Sequence, residues 1–117
     1  MPKEKQKLTK DKDFERVFKS GRAAYAPFLL LKYLKNKIGI TRFGIIVSAK
    51  VSKKAVLRNL AKRRIREILR LNKEKIKKGF DIIIVVSPKI ISQSGEILKY
   101  QEIEKTLLNL LKKADLL

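Results

Sequence analysis

Residues Asp81 to Ser87 read Asp-Ile-Ile-Ile-Val-Val-Ser, a nearly unbroken apolar run of strand length. A strand wetted on one face alternates polar and apolar residues, whereas a β-branched run like this suits a central strand covered on both faces. Other elements must therefore pack around it, and Pro88 ends it. Thr9 is placed to cap a short helix with Asp11, Asp13 and Glu15 early, Lys19 late and Gly21 as a stop; Phe14, Val17 and Phe18 share one of its faces. Lys53 to about Asn72 is the longest helical pattern, closed by Lys77, Lys78 and Gly79. Ser94 and Gly95 open a last helix to about Lys113, with Glu96, Glu102 and Glu104 early and Lys112 and Lys113 late. Its core face is Ile97, Tyr100, Ile103, Leu107, Leu110, Leu111 and Ala114.

Strand character runs from Arg22 to Leu34, clearest from Phe28 onward, and returns from Phe43 to Ser48, where Gly44 is the one weak point. Asn36 to Gly39 reads as a turn. The order is helix, strands, basic helix, strand, helix, without internal repeat or low-complexity linker. It predicts an α+β fold of two or three layers around one small mixed sheet. A length of 117 residues fits one domain, 1–117, in which the Lys-rich residues 1–8 form a flexible basic arm.

Lys and Arg number 30 against 11 Asp and Glu, a net charge of +19 at pH 7. A compact domain with that surplus repels itself and is matched to a polyanion, nucleic acid first, an anionic membrane surface or acidic protein second. The chain has no Cys and no His, which removes disulfides, thiolate metal sites and the usual general base near neutrality. No apolar stretch reaches membrane-span length, and Met1 to Lys12 is too charged for a signal peptide, so the expected location is the cytoplasm.

The charge is concentrated. Between Lys50 and Lys78 stand 13 Lys and Arg and only two acids, Glu67 and Glu74. At about 100° per residue, Arg58, Lys62, Arg66 and Arg70 succeed one another at i, i+4 spacing, with Asn59 and Arg63 beside them, over an arc of roughly 140°. Leu57, Leu60, Ala61, Ile65, Ile68 and Leu71 fill the opposite arc, with Arg64 projecting into its edge. Like charges at i, i+4 weaken an isolated helix by about 0.2–0.5 kcal/mol per pair. A solvated surface helix relieves that cost by alternating sign; an unrelieved stripe suits a phosphate backbone, where bound cations release counterions and guanidinium groups fork onto phosphate oxygens.

The same residues carry a resemblance. Lys54-Ala55-Val56-Leu57-Arg58-Asn59-Leu60-Ala61-Lys62-Arg63-Arg64-Ile65-Arg66-Glu67 closely resembles the signature of the bacterial ribonuclease P protein family, Lys-Ala-Val-x-Arg-Asn-Arg-x-Lys-Arg-x-x-Arg-Glu. Leu8 to Gly21 resembles that family's first helix, Phe43-Gly44 with Val47-Ser48 its strand before the motif, and Asp81 to Val86 its strand after it. Two departures stand out. Leu60 occupies a position that is usually Arg, and Lys50 to Lys54 is one residue longer than usual.

The resemblance implies a left-handed β-α-β crossover through the basic helix, against the right-handed default. It implies as partners a ribonuclease P RNA, which hydrolyses the phosphodiester with magnesium held mainly by the RNA, and precursor tRNA. The protein's own part is then to bind that RNA through Lys50, Lys53, Lys54, Arg58, Asn59, Lys62, Arg63, Arg66 and Arg70, with no catalytic or metal-ligating residue. The 5′ leader of the precursor is expected in a cleft beside the first helix, with Phe14, Phe18, Arg16 and Tyr33 as candidate contacts. Aromatic stacking in a positive groove is how single-stranded RNA is held, at about 1–3 kcal/mol per base. Two Phe at i, i+4 are also an ordinary core pair, so the residues alone leave core and cleft open. Neither a membrane nor DNA is an expected partner: the basic helix lacks the Trp or Phe of interfacial helices, and no helix-turn-helix or minor-groove arm is evident. A ribosomal or ribosome-assembly protein shares the composition, and only the motif speaks against it.

Overall fold

The apolar run is strand β4 (Phe80–Val86), and it lies inside the sheet with Ile82, Ile83 and Ile84 fully buried. The computed structural model describes residues 7–117. In chain order the elements are α1 (Asp11–Ser20), β1 (Arg22–Tyr25), β2 (Leu29–Lys35), β3 (Arg42–Ile46), α2 (Ala55–Leu71), β4 and α3 (Tyr100–Lys113). The strand order is β1-β2-β4-β3, with β2 antiparallel to both neighbours and β3 parallel to β4. Adjacent parallel strands need a long return path, and α2 provides it.

The strand-like stretch from Arg22 to Leu34 is two strands. Pro27 has no N–H to give a ladder, and the chain reverses there with Ala26 N–H donating to the Leu29 carbonyl at 2.9 Å. In the resulting register Leu29, Leu31 and Tyr33 lie opposite Val86, Ile84 and Ile82, while Leu30, Lys32 and Leu34 lie opposite Val85, Ile83 and Asp81. Side chains alternate between faces, so these two sets point to opposite sides of the sheet.

Each side has its own cover. Ala61, Ile65, Ile68 and Leu69 of α2 and Ile103, Leu107, Leu110 and Leu111 of α3 pack with Leu29, Leu31, Ile82, Ile84 and Val86 in the main core. On the other side Val17 of α1 meets Ile83 and Leu8, flanked by Phe14, Leu34, Ile46 and Val85. The result is three layers, two helices on one face and one on the other. Among the described residues no helix is long and apolar enough to cross a membrane.

Three local expectations need correction. Thr9 does not cap α1: the N-cap is Lys10, without a side-chain hydrogen bond. α3 begins at Tyr100, not at Ser94. Ser92 to Gly95 instead closes a turn, with Gly95 N–H donating to the Ser92 carbonyl at 2.9 Å and Gly95 at φ +85°, and Ile91 then bridges Ile97. Ser hydroxyls that bond locally and a left-handed Gly favour such a turn over a helix start. Leu8, expected in the flexible arm, is buried and its N–H donates to the Phe43 carbonyl at 2.9 Å; residues 1–6 of that arm lie outside the described residues.

Candidate nucleic-acid interface

α2 divides as its periodicity predicts except at its last residue, Leu71, which was read into the apolar arc and is 57% exposed. Ala61, Ile65, Ile68 and Leu69 are buried, and Leu57 and Leu60 pack half-buried against the main core. Leu60 therefore belongs to the packing face, which is why an apolar residue stands there without interrupting the stripe. Asn59, Arg63, Arg66 and Arg70 are exposed, and Arg58 and Lys62 half-buried. The preceding loop is anchored by buried Val51 and drawn onto the helix by Arg58, whose Nη1 donates to the Ser52 carbonyl at 2.6 Å. Exposed Lys50, Lys53 and Lys54 are thus gathered at the helix N-terminus, where no acid stands in the first turn.

The cations of the stripe are not equivalent. Arg70 is held by Glu67 through two hydrogen bonds, Nε to Oε1 at 3.0 Å and Nη2 to Oε2 at 2.7 Å. That bond keeps the Glu67 carboxyl below its ordinary value and raises Arg70. Lys50, Lys53, Lys54, Arg58, Lys62, Arg63 and Arg66 have no carboxylate partner among the described residues. Arg64, at the edge of the apolar arc, donates its Nη1 to the Leu98 carbonyl at 2.6 Å and ties α2 to the loop before α3.

A second feature lies on the α1 side of the sheet. Val17 points down into the small core, and Phe14 and Phe18 stand on one flank of the helix, Asp13 and Arg16 on the other. Phe14 is half-buried, its ring over Gly44: a Cβ on Gly44 would stand 2.6 Å from Phe14 Cζ. Gly44, the weak point of its strand as read from sequence, makes room for that ring. Phe18 is 40% exposed. Beside them the register aligns Tyr25, Leu30, Val85 and Ile46 in one row across all four strands. Leu30, Val85 and Ile46 are only half-buried, Tyr25 is exposed, and Lys32 shares their face. An aromatic wall, an apolar floor and a lysine make a shallow groove suited to unstacked bases and their phosphates.

Two of the four candidate groove residues do not belong there. Tyr33 lies on the opposite side of the sheet, half-buried against the main core. Arg16 points to the other flank of α1, where it is hydrogen-bonded and ion-paired to Asp81. Sequence reasoning missed Lys32, Leu30 and Tyr25. The alternation of β2 sets Leu30 and Lys32 on the face opposite Leu29, Leu31 and Tyr33, but not which of the two faces stays open.

Asp81 is fully buried and accepts from four nitrogens. Arg42 gives it Nε at 2.8 Å and Nη2 at 2.7 Å, Asn36 gives Nδ2 at 3.0 Å, and Arg16 gives Nη2. Arg42 Nη1 also reaches Asp13 Oδ2 at 3.3 Å. Burial alone pushes the Asp81 carboxyl up, but the hydrogen bonds from Arg42 and Asn36 and the charges of Arg42 and Arg16 outweigh it and hold the group below its ordinary value. Among the described residues no three His, Cys, Asp or Glu side chains gather into a group that could hold a metal ion.

Comparison with known proteins agrees with this architecture. The family model for ribonuclease P matches residues 1–115. The chain is 40% identical over 110 residues to the ribonuclease P protein component of Clostridioides difficile, covering 93% of this chain and 91% of that one. It is 42% identical over 100 residues to that of Fusobacterium nucleatum, covering 86% and 88%. Among solved structures, the RNase P protein from Thermotoga maritima superposes with a TM-score of 0.81 at 37% identity, over 92% of this chain and 96% of the other. A Staphylococcus aureus RNase P protein mutant with defective mRNA degradation activity gives 0.89 at 30% identity, over 99% and 93%. With the motif on an exposed basic face, the same layers around the same sheet, and a match over nearly the whole length, the chain belongs to the ribonuclease P protein family.

Proposed function

We propose that this chain is the protein subunit of a ribonuclease P and acts in the cytoplasm in 5′ maturation of tRNA. Membership of the family implies an RNA partner and a place in an endoribonuclease complex. In this reading α2 docks the catalytic RNA, while the groove beside α1 holds the 5′ leader of precursor tRNA. Hydrolysis, with its magnesium ions, belongs to the RNA. The observation that carries the reading is the stripe of cations on α2 that lack carboxylate partners among the described residues, set opposite a face that packs on the core through Ala61, Ile65, Ile68 and Leu69. Such a stripe stays costly until phosphates neutralise it. The protein's contribution is binding and placement: it screens RNA–RNA repulsion and adds contacts to a single strand that base pairing leaves free.

The test is cleavage of a leader-bearing precursor tRNA by a bacterial ribonuclease P RNA at limiting magnesium, with and without the protein. Rescue of cleavage that disappears when Arg58, Lys62 and Arg66 are replaced by Ala is the expected result. Tight RNA binding without rescue by a cognate RNA overturns the proposal and points to a ribosomal role.

A further inference from the structure

α1 is ten residues long, below the length at which an isolated helix is stable, and it buries one side chain, Val17. No side chain caps its N-terminus. Besides Val17 and the half-buried Phe14 ring over Gly44, its place over the sheet is held by polar contacts on the opposite flank. Arg16 reaches down to Asp81, and Asp13 receives Arg42 at 3.3 Å. Asp81 is fully buried and already gripped by Arg42 through two hydrogen bonds and by Asn36 through a third. The sheet thus presents a pre-set carboxylate, and α1 closes onto it with Arg16. The two arginines and two aspartates cancel in charge, so the cluster adds nothing to long-range attraction for RNA, and its effect is geometric. Arg16 and Phe18 lie about 160° apart around the helix, on opposite flanks of Val17. A contact that fixes Arg16 therefore fixes the rotation of α1 and with it the position of the aromatic wall over Leu30, Val85 and Ile46.

We infer that buried Asp81, with Arg16 and Arg42, is a positioning device that sets the groove between α1 and the open row of the sheet, and so the leader-dependent part of precursor affinity. This rests on the leader-groove reading above.

The experiment measures dissociation constants of the reconstituted ribonucleoprotein for leader-bearing precursor and for mature tRNA, whose ratio is the leader contribution. Amide exchange of α1 in the full-length protein is measured alongside. Asp81→Asn removes a negative charge and frees two guanidiniums, so a purely electrostatic role predicts a larger leader contribution. The positioning role predicts a smaller one, by about 5- to 10-fold, the scale of one weakened stacking contact. Arg16→Met, which leaves Asp81 paired with Arg42 and Asn36, is expected to act in the same direction, and Arg16→Lys to restore part of the loss. It also carries the test if Asp81→Asn does not fold. In both variants α1 amides exchange faster while those of α3 do not. An unchanged leader contribution in both, alongside a reduced one in Phe18→Ala, overturns the inference and leaves the groove reading standing; unchanged α1 exchange also overturns it. If Phe18→Ala leaves the leader contribution unchanged as well, the groove reading fails and the inference falls with it.

Discussion

Replacing the cations of α2 one at a time separates a working RNA face from a merely basic surface, because the geometry ranks them. Each phosphate contact steepens the dependence of log affinity on log salt by about 0.7 for single strands and about 0.9 for duplex, so a folded RNA falls near 0.8. Lys62 and Arg66 have no carboxylate partner among the described residues, and Ala at either is expected to flatten the slope by about 0.8. The triple replacement of Arg58, Lys62 and Arg66 then flattens it by about 2.4 or more, which at roughly 0.15 M salt is a loss of affinity of at least about 100-fold, or about 2.7 kcal/mol.

Arg58 costs more than its one contact, since its bond to the Ser52 carbonyl holds the loop bearing Lys50, Lys53 and Lys54. Arg70 costs less, because it must leave two hydrogen bonds at 3.0 and 2.7 Å to Glu67 before it can grip a phosphate. Arg70→Ala is expected to change the slope by less than half as much as Arg66→Ala, and Glu67→Gln, which releases Arg70, to steepen it. Because the Glu67–Arg70 pair is exposed, neither change moves stability appreciably. The assay is binding of ribonuclease P RNA by fluorescence anisotropy from about 0.1 to about 0.5 M monovalent salt, the range where counterion release dominates. Equal effects at Arg70 and Arg66 refute the ranking, and an unchanged slope in the triple variant refutes the assignment of this face to RNA.

Two further outcomes test the α1 side. Gly44→Ala places a Cβ 2.6 Å from Phe14 Cζ and 2.8 Å from Cε1, so the ring has to swing away, at a cost of about 1–3 kcal/mol in chemical denaturation. Adding Phe14→Leu should recover most of that loss, and additive losses would show that the two residues do not meet. Asp81 titrates below its ordinary value in the folded state, so its contribution is fully present above about pH 4 and is lost as pH falls through its lowered pKa. Asp81→Asn should therefore cost about 2–3 kcal/mol near neutrality, less than a fully buried pair because the Arg16 and Arg42 side chains are 39% and 19% exposed. The stability gap to the parent should close below about pH 4, and a gap that stays constant through acid would exclude an ionised Asp81 as its source.

The element content and the division of α2 into packed and charged faces follow from local periodicity, and periodicity is a property of neighbouring residues. The five β-branched residues of β4 demanded cover on both faces, and Arg58 to Arg70 at i, i+4 spacing demanded a stripe. Both were legible before any coordinates, as was the family signature laid along that helix. Alternation shows only that Lys32 and Tyr33 point to opposite sides. Which side belongs to the groove depends on where the helices pack, and α2 and α3 claim the face that holds Leu29, Leu31 and Tyr33. Arg16 likewise carries no local mark of its role, because its partner Asp81 is 65 residues away and becomes a neighbour only when α1 lies across β4. Leu8 and Ile97 are buried outside any regular helix or strand, Leu8 held by its N–H donation to the Phe43 carbonyl and Ile97 by a bridge to Ile91. Local patterns in the sequence thus determined the pieces and the cationic stripe. Only the tertiary structure decided which cations remain without a partner and which side of the sheet stays open, because both depend on contacts between residues far apart in the chain.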